Sequence, residues 1–342
     1  MINKTNKKNT AKILIISIIA LLTTSCELIM FDRANPSTDP HENFNYLWNE
    51  IDKKYSYFEY KNLDWDAVKS KYEVQLRDSM SDEELFDVLA NMMIELRDDH
   101  SNLIAPFNIS RYNLPMKKPA NFNMRTIKEF YLPNGRSTGA FFHDFLPGGD
   151  IAYIRYSSFS NGITNQQLDH IINRYSNTKG LIIDLRENGG GSINNVPMIL
   201  ERFVHEKTQV GYFINRNGEG HDDFSEPYNF YLNSYDSIRY MQPVAVLTDR
   251  GSYSATTMFS LATKALDNII LVGDTTGGGG GLPNGGELPN GWNYRFSITQ
   301  LLDMNKQNFA EAGVPPDVTA SFDWSDITKD EILERAMEEL RK

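Results

Sequence analysis

Little in this sequence could hold a protein together other than a packed core. Its 342 residues include one cysteine, Cys26, which excludes an internal disulfide. The apolar run Ile13 to Leu22 is too short to cross a bilayer, which takes about 20 residues. Beyond the first dozen residues there is no Lys/Arg-rich stretch, and the formal charge is −11, which disfavours nucleic acid as a partner. His41, His143, His170, His205 and His221 stand at no clear metal-ligand spacing, so no metal is implied. What the chain does have is 40% hydrophobic and 23% charged residues, the balance of a globular protein rather than a disordered one.

The start is a targeting segment. Lys4, Lys7, Lys8 and Lys12 form a basic lead, and Ile13 to Leu22 has the length of a signal-peptide core. Small residues then precede the sole cysteine in Leu22-Thr-Thr-Ser-Cys26, which resembles a bacterial lipoprotein processing site, although Leu is more usual where Thr23 stands. Cys26 is expected to be lipidated and to anchor the mature chain to a membrane of the cell envelope, periplasmic or outer-membrane associated. An ordinary signal peptide with an incidental cysteine is the alternative.

The 316 residues that follow (342 minus 26) suffice for one large or two modest domains. Residues 27–40, with Asn35-Pro-Ser-Thr-Asp-Pro40, lack periodicity and read as a tether. Three amphipathic helices follow: Phe44, Leu47, Trp48, Ile51 and Tyr55 share one face, Trp65, Val68, Tyr72 and Leu76 the next, and Leu85, Val88, Leu89, Met92 and Leu96 the third. Ser81-Asp-Glu-Glu84 is a capping box for the third, and 41–105 reads as a helical domain. Residues 106–150 read as a connecting segment. Short apolar runs then alternate with helical stretches near 164–176, 193–204 and 255–267, arguing for an α/β body with parallel crossovers over 151–342. Asp330 to Arg341 forms a last amphipathic helix.

In Gly180-Leu-Ile-Ile-Asp-Leu-Arg-Glu-Asn-Gly-Gly-Gly-Ser192 an apolar strand runs into three glycines. Glycine loses the most entropy on folding, so three together suggest that bare backbone is needed there. A phosphate loop is the competing use, but no Lys-Ser/Thr follows the glycines. After the strand Pro243 to Thr248, Ser252 and Ser254 precede a predicted helix, where a serine either caps or, at the positive end of the helix dipole, attacks. Glu311-Ala-Gly-Val-Pro-Pro-Asp317 lies near the end.

In this order, Asp184-Leu-Arg-Glu-Asn-Gly-Gly-Gly191, Tyr253-Ser-Ala255 and Gly313-Val-Pro-Pro-Asp317 resemble the core of the tail-specific (C-terminal processing) and tricorn-like serine peptidases. The resemblance implies a helical N-terminal domain followed by an α/β (α+β) catalytic core of the crotonase-like, ClpP/crotonase type. It makes Ser254 the nucleophile, with oxyanion donors from Gly189, Gly190 and Ala255. It implies a peptide or protein substrate and no cofactor. The tail-specific branch carries a lysine base after the nucleophile, but Gly279 takes that place here. The tricorn-like branch uses a histidine at the end of the helical domain, and Leu96-Arg-Asp-Asp-His100 matches it. A neutral imidazole suits the role of base. Glu311 is the expected acid orienting His100, although it stands two residues before Gly313 where three are expected, and Asp99 stands where a linking serine is usual. Asp99 or Ser101 could contribute instead, and Asp317 reads as structural. Residues 106–150 are too few for the family's complete PDZ module. Gly277 to Gly281 and the turn formers after them read as a mobile loop beside the site rather than regular structure. The expected function is an exported serine endopeptidase or carboxyl-end processing peptidase. The alternative is an inactive peptide- or ligand-binding protein on the same fold.

Overall fold

The computed structural model describes residues 35–112 and 120–342; the leader and Cys26 lie outside them. A seven-stranded sheet organises the body in the order β13-β9-β8-β5-β4-β3-β2. Strands β4 (Ile151–Tyr156), β5 (Gly180–Asp184), β8 (Val244–Thr248), β9 (Ile269–Gly273) and β13 (Val318–Thr319) run parallel. The hairpin β2 (Arg136–Thr138) and β3 (Phe141–Phe145) extends the sheet antiparallel to β4. Every residue of β4, β5 and β8 is buried, as parallel strands covered on both faces require. Alternation divides the core accordingly. Leu181, Ile183, Val244 and Val246 join one cluster with the helices Asn165–Tyr175 and Ala255–Thr263. Ile182, Ala245 and Leu247 join another with Ile332, Leu333 and Ala336 of the helix Glu331–Leu340. The fold is thus the mixed α/β body that the motifs implied.

The helical layer consists of Pro40–Lys54, Phe58–Lys61, Trp65–Glu73 and Asp82–Ile94, the last opened by the predicted Ser81/Glu84 capping box. It does not close on itself. Its apolar cluster is completed by Leu288, Trp292, Tyr294 and Phe296, contributed from far along the chain. These residues belong to or adjoin the hairpin of β10 (Pro283–Glu287) and β11 (Asn293–Ser297), which pairs with β1 (Asn102–Ile104). A third sheet joins β6 (Thr208–Asn215) to β7 (Tyr228–Leu232) and β12 (Thr299–Leu302).

One expectation changes here. The glycine-rich tract is not irregular throughout, because Pro283–Glu287 is a strand. Pro283 is tolerated at the first position of an edge strand, and a Cβ on Gly285 would lie 1.9 Å from the Tyr294 carbonyl oxygen. Within the connecting segment, 136–145 supplies the two antiparallel strands of the main sheet.

Candidate active site

Ser254 stands where β8 gives way to the helix Ala255–Thr263, with φ 59° and ψ −117°. A non-glycine residue held there carries of order 1–3 kcal/mol of strain that its surroundings must sustain. They do so from two sides. Ser254 N–H donates to the Gly278 carbonyl (3.0 Å), and the neighbouring Tyr253 N–H and Thr256 hydroxyl both donate to the Asn188 carbonyl (3.0 and 2.8 Å). Capping is not what Ser254 does, for its side chain makes no cap hydrogen bond. Ser252 is instead the buried structural serine, its hydroxyl donating to the Leu185 carbonyl (2.8 Å) and accepting from Asp249 N–H (3.1 Å).

Gly190, with φ +92°, lies directly against the nucleophile. A Cβ there would stand 2.8 Å from Ser254 Cβ and 2.9 Å from Ala255 N. Its expected role as an oxyanion donor needs correction, because its N–H is already donated to Asn188 Oδ1 at 3.0 Å. Gly190 contributes the missing side chain. The N–H groups of Gly189 and Ala255 have no protein acceptor among the described residues, and Ala255 N–H opens a helix, where the dipole favours a negative oxygen.

The turn is braced from below. Arg186, fully buried, donates to Asp184 Oδ1 (3.0 Å) and Oδ2 (2.6 Å) and to Asp330 Oδ1 (3.0 Å). Burial pushes the Asp184 carboxyl up, yet Arg186, Arg155 and the Tyr153 hydroxyl outweigh it and hold the group below its usual range. Asp330 in turn caps the last helix.

His100 Nε2 lies 3.0 Å from Ser254 Oγ. The imidazole follows a turn anchored by Asp98, which accepts the His100 N–H (2.8 Å) and the Ser101 hydroxyl (3.2 Å). Asp98 fixes this turn together with the Ser101 hydroxyl, and only its position within the motif hinted at it. The ring is buried, and loss of solvation pulls its pKa below the usual value. Asp98, Asp99 and the nearby Gly281 backbone favour the charged ring, while Arg295 opposes it.

Glu311 makes no hydrogen bond to the imidazole among the described residues. Lys61, from the helical layer, holds Glu311 Oε1 at 2.7 Å, while Glu311 Oε2 and His100 Nδ1 are both buried without a hydrogen-bond partner among the described residues. Burial raises the Glu311 carboxyl to about 7, reinforced by Asp98 and opposed by Lys61. Gly279 explains the missing lysine base, because a Cβ there would lie 2.3 Å from the Tyr253 ring, which packs against His100 with centroids 5.0 Å apart. Lys264 is no substitute: it sits at the far end of the helix that Ser254 precedes, about 13 Å along the axis, paired with Asp317 at 2.6 Å. Asp317 is structural, also accepting Leu271 N–H.

The sequence model of Peptidase family S41 matches residues 150–320, half of the chain, and that of the tricorn protease C1 domain matches 36–94. A candidate peptidase of Parabacteroides merdae, known from its crystal structure, is 39% identical with a TM-score of 0.84, the match covering 90% of this chain and 98% of that one. The chain belongs to peptidase family S41. This family of serine-type peptidases includes the carboxy-terminal processing protease CtpB of Bacillus subtilis, which is 28% identical over 175 residues, 51% of this chain and 34% of that protein. The chain spans about a third of the length of such curated S41 relatives. Mature CPAF shares the fold at 12% identity, with a TM-score of 0.65 over 89% of this chain and 96% of that one.

Proposed function

We propose that this S41 chain is an exported serine peptidase, acting as an endopeptidase or at carboxyl ends, in which Ser254 attacks a peptide carbonyl and His100 takes the hydroxyl proton. The observation that carries this reading is the 3.0 Å separation of Ser254 Oγ and His100 Nε2 at the start of a helix. His100 removes the proton as the new C–O bond forms, and the negative oxygen is met by Ala255 N–H with Gly189 N–H as its companion. The imidazolium then protonates the leaving amine, and water hydrolyses the acyl-enzyme by the same steps in reverse order. The name of the Bacillus relative, a carboxy-terminal processing protease, favours processing at carboxyl ends. The direct test is labelling by a fluorophosphonate with the adduct mapped by mass spectrometry. An adduct on Ser254 supports the reading; a folded protein that takes up no label would instead be a peptide-binding member of the family.

The base must be neutral to act. Burial lowers the pKa of His100, so the acid limb of labelling should rise through an ionisation below the ordinary histidine value of about 6.5. His100→Ala should remove that limb. A rate that climbs only in the alkaline range would implicate a lysine and exclude His100.

The envelope location is part of the same proposal and rests on the Leu22-Thr-Thr-Ser-Cys26 segment. Each acyl methylene buried in the bilayer contributes about 0.8 kcal/mol, so several lipoprotein chains hold without electrostatic help. The mature protein should partition with membranes, and Cys26→Ser should be unprocessed or soluble. Wild-type protein wholly in the soluble fraction excludes the anchor.

A further inference from the structure

Lys61 hydrogen-bonds on both sides of the site, to the turn before His100 and to Glu311, and the inference drawn from it rests on the serine-peptidase reading. It ends the short helix Phe58–Lys61. Its ammonium, with the side chain 9% exposed, meets four oxygens: Glu311 Oε1 at 2.7 Å, Tyr55 Oη at 2.9 Å, and the carbonyls of Leu96 and Arg97, each at 3.1 Å. Leu96 and Arg97 begin the turn that delivers His100, and Arg97 itself adopts φ 49° and donates back to the Lys61 carbonyl at 2.6 Å. Glu311 lies on the opposite side, its backbone packed so closely on Gly278 that a Cβ there would be 2.2 Å from the Glu311 carbonyl oxygen. Gly278 is the residue whose carbonyl holds the Ser254 N–H. One cation therefore joins the turn that bears the base to the layer that bears the nucleophile.

A catalytic histidine is ordinarily oriented through the nitrogen remote from the nucleophile. Here no side chain among the described residues holds that nitrogen, Nδ1, and the Gly281 backbone favours the charged ring from close by, so the ring's aim depends on main chain. We propose that Lys61 is the positioning residue for His100: by gripping the Leu96 and Arg97 carbonyls and docking on Glu311, it sets the distance between imidazole and Ser254.

The experiment measures fluorophosphonate labelling of Ser254, resolved into the saturating rate kinact and the half-saturation KI, alongside melting temperature. Lys61→Met should lower kinact about 10- to 100-fold with KI changed less than about twofold, as expected when geometry rather than binding is lost. Unchanged kinact in a folded Lys61→Met protein overturns the proposal. Because that variant leaves Glu311 buried opposite no cation, Lys61→Met/Glu311→Gln should recover the melting temperature but not kinact. Recovery of both would mean that Lys61 only neutralises a carboxylate, and the proposal falls. Should both variants fail to fold, Lys61→Arg decides: its planar fork cannot meet all four oxygens. It should lower kinact at constant melting temperature, and an unchanged kinact overturns the positioning role. If the wild-type protein takes no label at all, it is the serine-peptidase reading that fails instead.

Discussion

Ser254→Ala is expected to lose peptidase turnover by a factor on the order of 10⁶, the scale seen when a nucleophilic serine is removed from an assembled site. Stability should scarcely change. Alanine keeps the Cβ and therefore the same strained backbone, and the Ser254 hydroxyl caps nothing in the native fold. Ser252→Ala is its contrast. That hydroxyl is buried and satisfies both the Leu185 carbonyl and Asp249 N–H, so its loss should cost about 1–3 kcal/mol of stability while phosphonate labelling persists. Turnover and urea denaturation, measured on both variants, check the pair. If the two variants lose activity and stability to the same extent, the segment serves the fold and Ser254 is not the nucleophile.

Arg186→Met should be the most destabilising single change near the site, at about 3–5 kcal/mol, because it strands buried carboxylates without their cation. Asp184 and Asp330 both lie at 0% exposure and share that guanidinium. The pH dependence gives the sign. In the wild type, Arg186 helps hold the Asp184 pKa below its unfolded value, so this stabilisation is present above the ordinary Asp range and is lost as pH falls. With Arg186 gone, desolvation prevails and the folded-state pKa rises. The variant's deficit should then grow as pH increases and shrink in acid. Urea midpoints between pH 4 and 8 measure it. A deficit under about 1 kcal/mol, flat with pH, would mean that water reaches both carboxylates.

Much of this was legible because it was local. The helical faces of Phe44, Leu47 and Ile51 or of Leu85, Leu89 and Met92 repeat at helix spacing and are buried as that spacing requires. The strands read before the three glycines and at Pro243 to Thr248 are observed as Gly180–Asp184 and Val244–Thr248. Ser254 and His100 were named from short motifs, and the fold brings them into contact although they stand 154 residues apart. What escaped reading depends on distant partners. Lys61 sits in a helix too short for any period, and nothing near it in sequence announces Glu311. Pro283–Glu287 looks like a turn because its glycines admit the Tyr294 backbone, a neighbour defined only by pairing. Glu311 makes no hydrogen bond to His100 among the described residues, and the helical-layer lysine that holds its Oε1 could not be read from the sequence around it.

The ring of Tyr253 beside Gly279 bears on how such peptidases change their chemistry over evolutionary time. The two positions are coupled by volume: any side chain at 279 would have to grow through that ring, and φ +75° penalises it further. A lineage using histidine could not acquire a lysine base by one replacement at 279, because the newcomer would collide before it could help. Shrinking Tyr253 first would strip packing from His100 while no amine yet stood ready. A lysine at 279 therefore requires a compensating change at Tyr253, and that change disturbs the packing of His100.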